Sequence, residues 1–198
     1  MIRRRTVLNA GSGPGVALPP HYEGFEIVHL DVDPDNRPDI VADVRDLSGL
    51  ADASFDAVHL AHLLEHFAPW EVDVVLAELR RVLRPGGFVE VRVPHVEAVF
   101  RAVLEGQAID GPLYESGIGP ISPLDVLYGH ATTVRDGNAW MAHRTAFTPD
   151  SLRASFERAD LKVELVRPTG GMLYELCGIA RKPAEAGAVS TDQSALPM

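Results

Sequence analysis

The feature that most constrains the fold of this chain is a short apolar run that ends in a glycine-rich loop. Residues 7–15 read Val-Leu-Asn-Ala-Gly-Ser-Gly-Pro-Gly. A buried strand followed by such a loop lets a ligand approach backbone N–H groups closely, because glycine has no side chain. A second apolar run, residues 25–30, ends in Asp31, whose carboxylate can accept hydrogen bonds from both hydroxyls of a ribose. Together these features predict a nucleotide-binding site.

The spacing of the glycines distinguishes between classes of nucleotide. A dinucleotide-binding loop has the form G-x-G-x-x-G, whereas this loop reads G-x-G-x-G and has Val16 where the last glycine of that form belongs. A diphosphate also needs a helix N-terminus behind the loop, and Pro19 and Pro20 leave room for about one helical turn. The loop therefore favours a ligand without phosphates, and it argues against a nicotinamide-dependent enzyme.

Apolar periodicity along the chain predicts an α/β fold. Continuous apolar runs, which are typical of strands buried on both faces, predict strands near residues 5–10, 26–31, 38–43, 55–60, 87–93, 161–166 and 172–180. Helical spacing, proline and cap signals predict helices over residues 70–83, 95–105 and 149–159. This alternation predicts a mostly parallel sheet with helices on both faces and a C-terminal antiparallel hairpin.

The chain length and the local composition predict one domain with an insertion and a tail. Residues 1–182 are expected to form a single domain, since this size is ordinary for one hydrophobic core. Residues 106–146 are rich in Gly, Pro, Tyr and His and have no steady period, so we expect a lid-like insertion there. Residues 183–198 offer little to bury, which predicts a disordered tail.

Charge and cysteine content limit the classes of partner. The formal net charge of −10 disfavours nucleic acid, because phosphate contacts need clustered Lys and Arg. The sequence has no apolar stretch of the roughly 18 residues that a membrane-spanning helix needs. Cys177 is the only cysteine, so no internal disulfide forms and a reducing compartment is expected. We therefore expect a cytoplasmic protein that acts on a small molecule; the sequence does not indicate its oligomeric state.

Several segments that follow the loop and Asp31 carry a family resemblance. They are Ala42-Asp43-Val44-Arg45-Asp46-Leu47, Ser54-Phe55-Asp56-Ala57-Val58, Leu63-Leu64-Glu65-His66 and Leu79-Arg80-Arg81-Val82-Leu83-Arg84-Pro85-Gly86-Gly87. In this order and spacing the chain resembles a class I S-adenosylmethionine-dependent methyltransferase of the type 11 kind. The resemblance covers roughly residues 5–95 well, and the last strands in pattern. It implies a Rossmann-like fold and S-adenosylmethionine as the cofactor.

The resemblance also implies which residues bind the cofactor. Those expected to line its amino-acid and ribose side are Asn9, Ala10, Gly11, Ser12 and Gly13. Asp31 is expected to hold the ribose hydroxyls, with Asp33 as its rival, and Asp43 to bind the adenine amino group beside the Val44 backbone, with Asp46 as its rival. Ala61 and His62 are expected beside the methyl donor, because ligands of open α/β sheets lie at the carboxyl ends of the strands.

Residues 62–66 contain a motif that is also found in other enzymes. His-Leu-Leu-Glu-His matches H-x-x-E-H, the inverted zinc-peptidase motif, but that motif needs a long helix and a further ligand. Quinone-type O-methyltransferases, which the chain resembles at this point, carry E-x-x-E-H and can use a divalent metal, whereas this chain has His62 in place of the first glutamate. We therefore predict no metal ligand, and we expect Glu65 to fix the loop through hydrogen bonds.

Candidates for the catalytic base are His66 and His95, because both follow predicted strands and histidine accepts a proton near neutral pH. The polar and aromatic residues of the insertion are candidates either for substrate contacts or for a small core of the lid: Tyr114, Tyr128, His130, Trp140, His143 and Arg144.

The function expected from the sequence is methyl transfer from S-adenosylmethionine to a small-molecule or glycan-like acceptor. The alternative is a non-catalytic S-adenosylmethionine-binding module that acts as a sensor or a partner subunit.

Overall fold

The computed structural model of the protein describes residues 3–11, 17–169 and 172–184. The strands are β1 Thr6–Ala10, β2 Glu26–Asp31, β3 Ile40–Val41, β4 Phe55–Ala61, β5 Leu83–Pro94, β6 Tyr114–Ser116, β7 Gly119–Ile121, β8 Lys162–Thr169 and β9 Met172–Arg181. The α-helices are α1 Pro69–Val82, α2 Val96–Leu104, α3 Pro123–Tyr128, α4 Ala131–Arg135 and α5 Pro149–Arg158. Short 3₁₀ helices cover Pro20–Tyr22, Pro34–Asn36, Leu64–His66 and Ala139–Met141.

Seven of the strands form one sheet in the order β3-β2-β1-β4-β5-β9-β8. Strands β1 to β5 are parallel to one another, and β9 is antiparallel to both β5 and β8. This arrangement confirms the predicted Rossmann-like fold with its C-terminal antiparallel hairpin. The strand order reverses beside β1, which opens a crevice at the carboxyl ends of the parallel strands.

The main core lies between the sheet and helices α1 and α5. Leu76 and Leu79 of α1 and Phe156 of α5 are fully buried against apolar residues of β4, β5 and β9. On the other face of the sheet, the segment around Pro20–Tyr22 packs Tyr22 against Val7 and Ala57. The sheet is therefore covered on both faces, as its continuous apolar strands require.

The predicted third strand is shorter in the structure than in the sequence-based prediction. A strand was expected over residues 38–43, and only Ile40–Val41 pair with β2. The carboxylate of Asp39 accepts a hydrogen bond from the backbone N–H of His29 at 2.8 Å. That N–H is therefore not available to a carbonyl oxygen of a longer β3. β3 is also an edge strand, and one-sided pairing leaves such strands short.

The insertion consists of short elements with a small core of its own. The hairpin β6–β7 and helix α3 pack on α2 through Ile121, Val126 and Val99. A β-bridge between His95 and Phe147 joins the two ends of the segment. The predicted tail lies outside the described residues from position 185 onward. Among the described residues, no helix has the length and apolarity to cross a membrane.

Packing of α5 on β9 gives a test of the fold. A Cβ atom added at Gly178 of β9 would lie 2.7 Å from a ring carbon of Phe156 and 2.9 Å from a methyl carbon of Leu152. We expect Gly178→Ala to lower the free energy of unfolding by about 1–3 kcal/mol, because an extra carbon in a packed core displaces its neighbours. Chemical denaturation of both proteins measures this difference.

The matched control is Gly49→Ala, because a Cβ atom at Gly49 meets nothing within 4 Å. Its free energy of unfolding should stay within about 0.5 kcal/mol of the wild type. Equal effects of the two substitutions would contradict the described packing of α5 on β9.

Candidate active site

Two neighbouring cavities lie at the carboxyl ends of the strands. The first, of about 250 Å³, is bordered by the loops after β1, β2, β3 and β4; we call it the cofactor cleft. Five of the residues predicted to bind the cofactor line it: Gly11, Asp31, Asp43, Val44 and His62. Residues from four separate loops of the sequence therefore meet at one cleft.

Gly11 allows the backbone to border the cofactor cleft closely. Its φ angle is +67°, and a Cβ atom there would lie 2.8 Å from both methyl carbons of Leu63. Its N–H donates to the carbonyl oxygen of Leu30 at 2.8 Å, which joins the ends of β1 and β2. A side chain at this position would fill the space between the two loops, so the site suits a ligand that lies against the backbone.

Asp31 and Asp33 both border the cofactor cleft but differ in their surroundings. Asp31 is buried at the end of β2, and one oxygen of its carboxylate accepts the N–H of Asp33 at 2.9 Å. Asp33 is exposed and caps the 3₁₀ helix Pro34–Asn36 by accepting the N–H of Asp35 at 2.9 Å. Of the two carboxylates, Asp31 lies deeper in the wall of the cleft.

The carboxylate of Asp43 also borders the cleft, and Arg45 holds it. Arg45 Nη2 lies 2.6 Å from one Asp43 oxygen, and the hydrogen bonds from Arg45 lower the pKa of Asp43. Arg45 also binds Glu71 at the start of α1 and lies over the ring of Phe67. Asp46 points elsewhere, since it caps the N–H of Ser48 and does not line the cleft. Of these two rivals, Asp43 lies at the cavity.

Other predicted cofactor residues lie beside the cleft rather than in its wall. The Asn9 side chain is buried within the sheet, where its oxygen accepts a hydrogen bond from Nδ1 of His59 at 3.0 Å. Ala10 is buried in the core, and Ala61 borders a separate groove near Pro20. Ser12 and Gly13 lie outside the described residues.

The second cavity, of about 570 Å³, lies between the loop after β4 and the insertion; we call it the acceptor cavity. Its wall combines stacked rings of Tyr114 and Tyr174, 5.8 Å apart, with acidic side chains that include Glu175. His62, His66 and Met141 border both cavities. A molecule in one cavity is therefore close to a molecule in the other.

His62 stands at the junction of the two cavities and is held by carboxylates. Its Nε2 lies 2.8 Å from Glu175 of β9, and its Nδ1 lies 3.4 Å from Glu65. Burial alone lowers the pKa of His62, but the hydrogen bond to Glu175 and the nearby charge of Glu65 outweigh it and raise the pKa to about 10. His62 is therefore an imidazolium at neutral pH, with no lone pair to accept a proton.

The predicted bases His66 and His95 have different surroundings. His66 borders both cavities, and its ring nitrogens lie 3.2 Å and 3.1 Å from the carbonyl oxygens of Ala142 and His62. His95 is buried at the start of α2, and neither ring nitrogen has a hydrogen-bond partner among the described residues. His95 is not among the residues that line the cofactor cleft or the acceptor cavity.

The insertion forms part of both walls. Trp140 and Arg144 border the cofactor cleft, whereas Tyr114, His130 and His143 border the acceptor cavity. Tyr128, a further residue considered as a substrate contact, is exposed and borders neither.

The H-x-x-E-H motif does not lie on a long helix. His62 follows β4 with a φ angle of +52°, Leu64–His66 form one 3₁₀ turn, and α1 starts at Pro69. The structure thus agrees with the expectation that this motif belongs to a loop.

Glu175 and Arg45 are site residues that the sequence did not point out. Glu175 pairs with His62 across 113 positions of sequence, and no local motif signals such a contact. Arg45 belongs to the segment 42–47. An arginine two residues after Asp43 is a signal that could have suggested the ion pair between them.

Comparison with known proteins gives one family match and many similar folds. Residues 8–91 match the family model described as a methyltransferase domain. Comparison with curated proteins gives no match. Many solved structures match the fold, and three of them are described below.

An S-adenosylmethionine-dependent methyltransferase of Methanosarcina mazei is 16% identical, with 93% of this chain and 95% of that chain covered and a TM-score of 0.61. The Burkholderia thailandensis 1,6-didemethyltoxoflavin-N1-methyltransferase, solved with 1,6-didemethyltoxoflavin and S-adenosylhomocysteine, is 21% identical, with 91% and 72% covered and a TM-score of 0.56. A putative methyltransferase of Haloferax volcanii, solved with the activator Trm112, is 19% identical, with 90% and 83% covered and a TM-score of 0.57.

The strand order and the cleft at the strand ends define a Rossmann-like α/β fold, which the solved methyltransferase structures share. The methyltransferase-domain match over residues 8–91 and the shared fold both agree with the resemblance to class I S-adenosylmethionine-dependent methyltransferases that the sequence carries.

The raised pKa of His62 predicts how stability depends on pH. Because the folded pKa of about 10 lies above the ordinary value near 6.5, the ion pairs contribute full stability below about pH 6.5 and lose it as pH rises through about 10. We expect His62→Gln to unfold more easily at pH 7 by about 1–2 kcal/mol, a value reduced because His62 is half-exposed. Chemical denaturation at several pH values should show this difference shrinking toward pH 10.

The control is the same substitution in a Glu175→Gln background. There the pH-dependent part of the effect should be much smaller, since the closest carboxylate partner of His62 is already neutral. A difference that stays the same from pH 7 to about pH 10 would contradict the ion pair.

Proposed function

We propose that this protein transfers a methyl group from S-adenosylmethionine in the cofactor cleft to a small-molecule or glycan-like acceptor in the acceptor cavity. The observation that carries the proposal is the meeting of the two cavities at His62, His66 and Met141. Methyl transfer from a sulfonium is a direct displacement, so donor and acceptor must be held in contact and in line. Two adjoining cavities at the strand ends satisfy that requirement.

The charges around the cofactor cleft suit S-adenosylmethionine better than a dinucleotide. Four carboxylates border the cleft, namely Asp31, Asp33, Asp43 and Glu71. Arg45 is already paired with two of them, and with Arg144 and the imidazolium of His62 the cleft has three cations against its four carboxylates. An acidic wall attracts the positive charge of a sulfonium and repels a diphosphate. With the close approach at Gly11, the described residues fit the cofactor of the family.

In this proposal each part of the cofactor has its own contacts. Asp31 accepts hydrogen bonds from the ribose hydroxyls, and the adenine lies near Asp43 and Val44. The end of β1 at Asn9 and Ala10, with Gly11, Ser12 and Gly13 after it, binds the ribose and amino-acid side. Ala61 and His62 lie beside the reacting end, where the imidazolium of His62 can pair with the carboxylate of the cofactor.

When bound, the cofactor supplies an electrophilic methyl group on sulfur. The protein then has to orient the acceptor and, where the acceptor atom carries a proton, remove that proton. His66 is the proposed base, because it borders both cavities. His95 remains a candidate through its position at the end of β5. His62 is excluded as the base because it is already protonated at neutral pH.

The acceptor cavity favours a ring-bearing molecule without a strong negative charge. The stacked Tyr114 and Tyr174 rings offer an apolar surface, and a sugar or an aromatic ring packs on such faces. Glu65, Glu175 and Asp125 also border the cavity, so an anionic acceptor is disfavoured. The net charge of −10 argues against nucleic acid as the acceptor. We also propose the cytoplasm as the compartment, since the single cysteine needs no oxidising environment.

Substitution of Asp31 tests the cofactor site. We expect Asp31→Ala to weaken S-adenosylmethionine binding at least tenfold, which corresponds to about 1.4 kcal/mol, because two hydrogen bonds to the ribose are lost. Isothermal titration calorimetry with S-adenosylmethionine measures the change, and circular dichroism checks the fold.

The matched control is Asp33→Ala, which removes an exposed carboxylate from the same loop and should change the affinity by less than about threefold. Unchanged affinity in Asp31→Ala, or tight binding of NAD in place of S-adenosylmethionine, would overturn the site assignment.

A turnover assay separates the enzyme from a non-catalytic binding module. Incubation of the protein with S-adenosylmethionine and the small-molecule fraction of a cell extract should produce S-adenosylhomocysteine, detected by mass spectrometry. His66→Gln should lower the rate by about 10²-fold or more if His66 removes a proton, while cofactor affinity stays near that of the wild type. Cofactor binding without turnover against any fraction would favour the binding module.

A further inference from the structure

Three side chains in the wall of the acceptor cavity form a cluster, of which the methyl-transfer proposal uses only His66. Glu65, His66 and His143 each offer one ligand atom, and these atoms all lie within 4.8 Å of one another. All three residues border the acceptor cavity. Glu65 and His66 come from the 3₁₀ turn after β4, whereas His143 comes from the insertion.

Glu65 is buried without hydrogen bonds to its carboxylate. The residue is 1% exposed, and neither carboxylate oxygen has a hydrogen-bond partner among the described residues. Its nearest cation, Nδ1 of His62, is 3.4 Å from one oxygen and shares its charge with Glu175 at the other ring nitrogen. Burying a carboxylate with so little compensating positive charge costs free energy. A further positive charge beside Glu65 would therefore be stabilising.

His66 has oxygen acceptors on both sides of its ring. Its nitrogens lie 3.2 Å from the carbonyl oxygen of Ala142 and 3.1 Å from that of His62. A neutral imidazole donates from one nitrogen only, so its other lone pair faces an oxygen lone pair. An ion bound at that nitrogen displaces the carbonyl oxygen that faces it, while the remaining N–H donates to the opposite carbonyl. His66 then has no free lone pair, so it acts as a base only while the ion is absent.

His143 is oriented as metal-binding histidines commonly are. Its Nδ1 lies 2.8 Å from the carbonyl oxygen of Val126, an acceptor that places the proton on Nδ1 and leaves the lone pair on Nε2. A backbone carbonyl of this kind fixes the tautomer of histidine ligands in metal sites. Its ring packs edge-on against that of His66, with centroids 4.9 Å apart.

The backbone around the cluster is fixed before any ligand binds. The N–H groups of Arg144 and Thr145 both donate to the carbonyl oxygen of Glu65, at 2.8 Å and 3.2 Å. The N–H of His143 donates to the carbonyl oxygen of Tyr128 at 3.1 Å. These bonds hold the insertion directly over the 3₁₀ turn, so the three side chains belong to one rigid part of the wall.

We propose that Glu65, His66 and His143 bind one divalent transition-metal ion in the wall of the acceptor cavity. Two imidazoles and one carboxylate suit Zn²⁺, Co²⁺, Mn²⁺ or Fe²⁺, whereas Mg²⁺ prefers an all-oxygen site. Three protein ligands leave open positions on the ion, which an oxygen of the acceptor can fill. The H-x-x-E-H motif alone gives a different set of metal ligands. It includes His62, which the structure pairs with Glu175, and it omits His143.

The inference that a metal ion binds depends only on the cluster, whereas the role of that ion in holding the acceptor rests on the proposed function. The test therefore uses the metal alone, without cofactor or acceptor. The full chain, free of affinity tags and stripped with a chelator, is titrated with Co²⁺ and followed by visible absorption and calorimetry. We expect about one Co²⁺ per chain, displaced by Zn²⁺ but not by an equal concentration of Mg²⁺.

Two variants locate the site. His143→Gln should weaken Co²⁺ binding at least about tenfold, since loss of even an outer partner of a metal ligand has effects of that size. His130→Gln removes another imidazole that borders the same cavity and contacts Thr133 instead of the cluster, and it should bind Co²⁺ as the wild type does. Circular dichroism checks that both variants fold.

A measurement on the unaltered chain covers the case in which His143→Gln does not fold. Zn²⁺ should protect His66 and His143, but not His130, from modification by diethyl pyrocarbonate, with each residue read by peptide mass spectrometry. Failure to bind Co²⁺, equal affinity in His143→Gln, or absence of protection at His66 and His143 would overturn the proposal. S-adenosylmethionine binding measured in chelator remains a separate result, so failure of the metal site and failure of the cofactor site are distinguishable.

Discussion

The ion pair between His62 and Glu175 is the contact on which the layout of the site depends. Glu175 is buried on the antiparallel strand β9, and His62 is the first residue after β4. The backbone of His62 is in the left-handed region, with a φ angle of +52°, which is unfavourable for a residue with a side chain. The 2.8 Å contact to Glu175 helps to hold that conformation. The turn it fixes brings Leu63 against Gly11 and places Glu65 and His66 in the wall of the acceptor cavity.

The parts of the structure that were predicted correctly are those determined by neighbouring residues. Apolar runs located the strands that bracket the cleft, and Thr148 caps α5 by accepting the N–H of Ser151 at 3.1 Å, as its position before Pro149 indicated. Asp31 follows a strand, so its place at the cleft follows from the direction of β2. Asn9 lies in the strand predicted over residues 5–10, and β1 does continue through Ala10. Alternation along the strand turns Asn9 to the face opposite Leu8.

Contacts between distant segments could not be predicted from one sequence. Glu175 lies in a strand whose apolar pattern gave no reason to single it out, and its partner His62 is 113 positions away. The insertion had no period because its elements are short, such as the five-residue α4 and the three-residue β6 and β7. What orders it is hydrogen bonding to other parts of the fold, including the bonds to the Glu65 carbonyl and the β-bridge from Phe147 to His95. The grouping of His143 with Glu65 and His66 therefore becomes visible only in three dimensions.

The imidazolium of His62 also sets how the two cavities differ in charge. One imidazolium contacts two carboxylates, Glu175 and Glu65, and Asp125 also borders the acceptor cavity. The acceptor cavity therefore keeps an excess of negative charge. On the cofactor side, Arg45 neutralises Asp43 and Glu71, while Asp31 stays without a basic partner among the ion pairs of the described residues. A sulfonium cofactor brings one positive charge to the boundary between these two acidic regions. The attraction is lost once the methyl group has moved, because the sulfur is then neutral, so the charge layout favours the bound donor over the demethylated product.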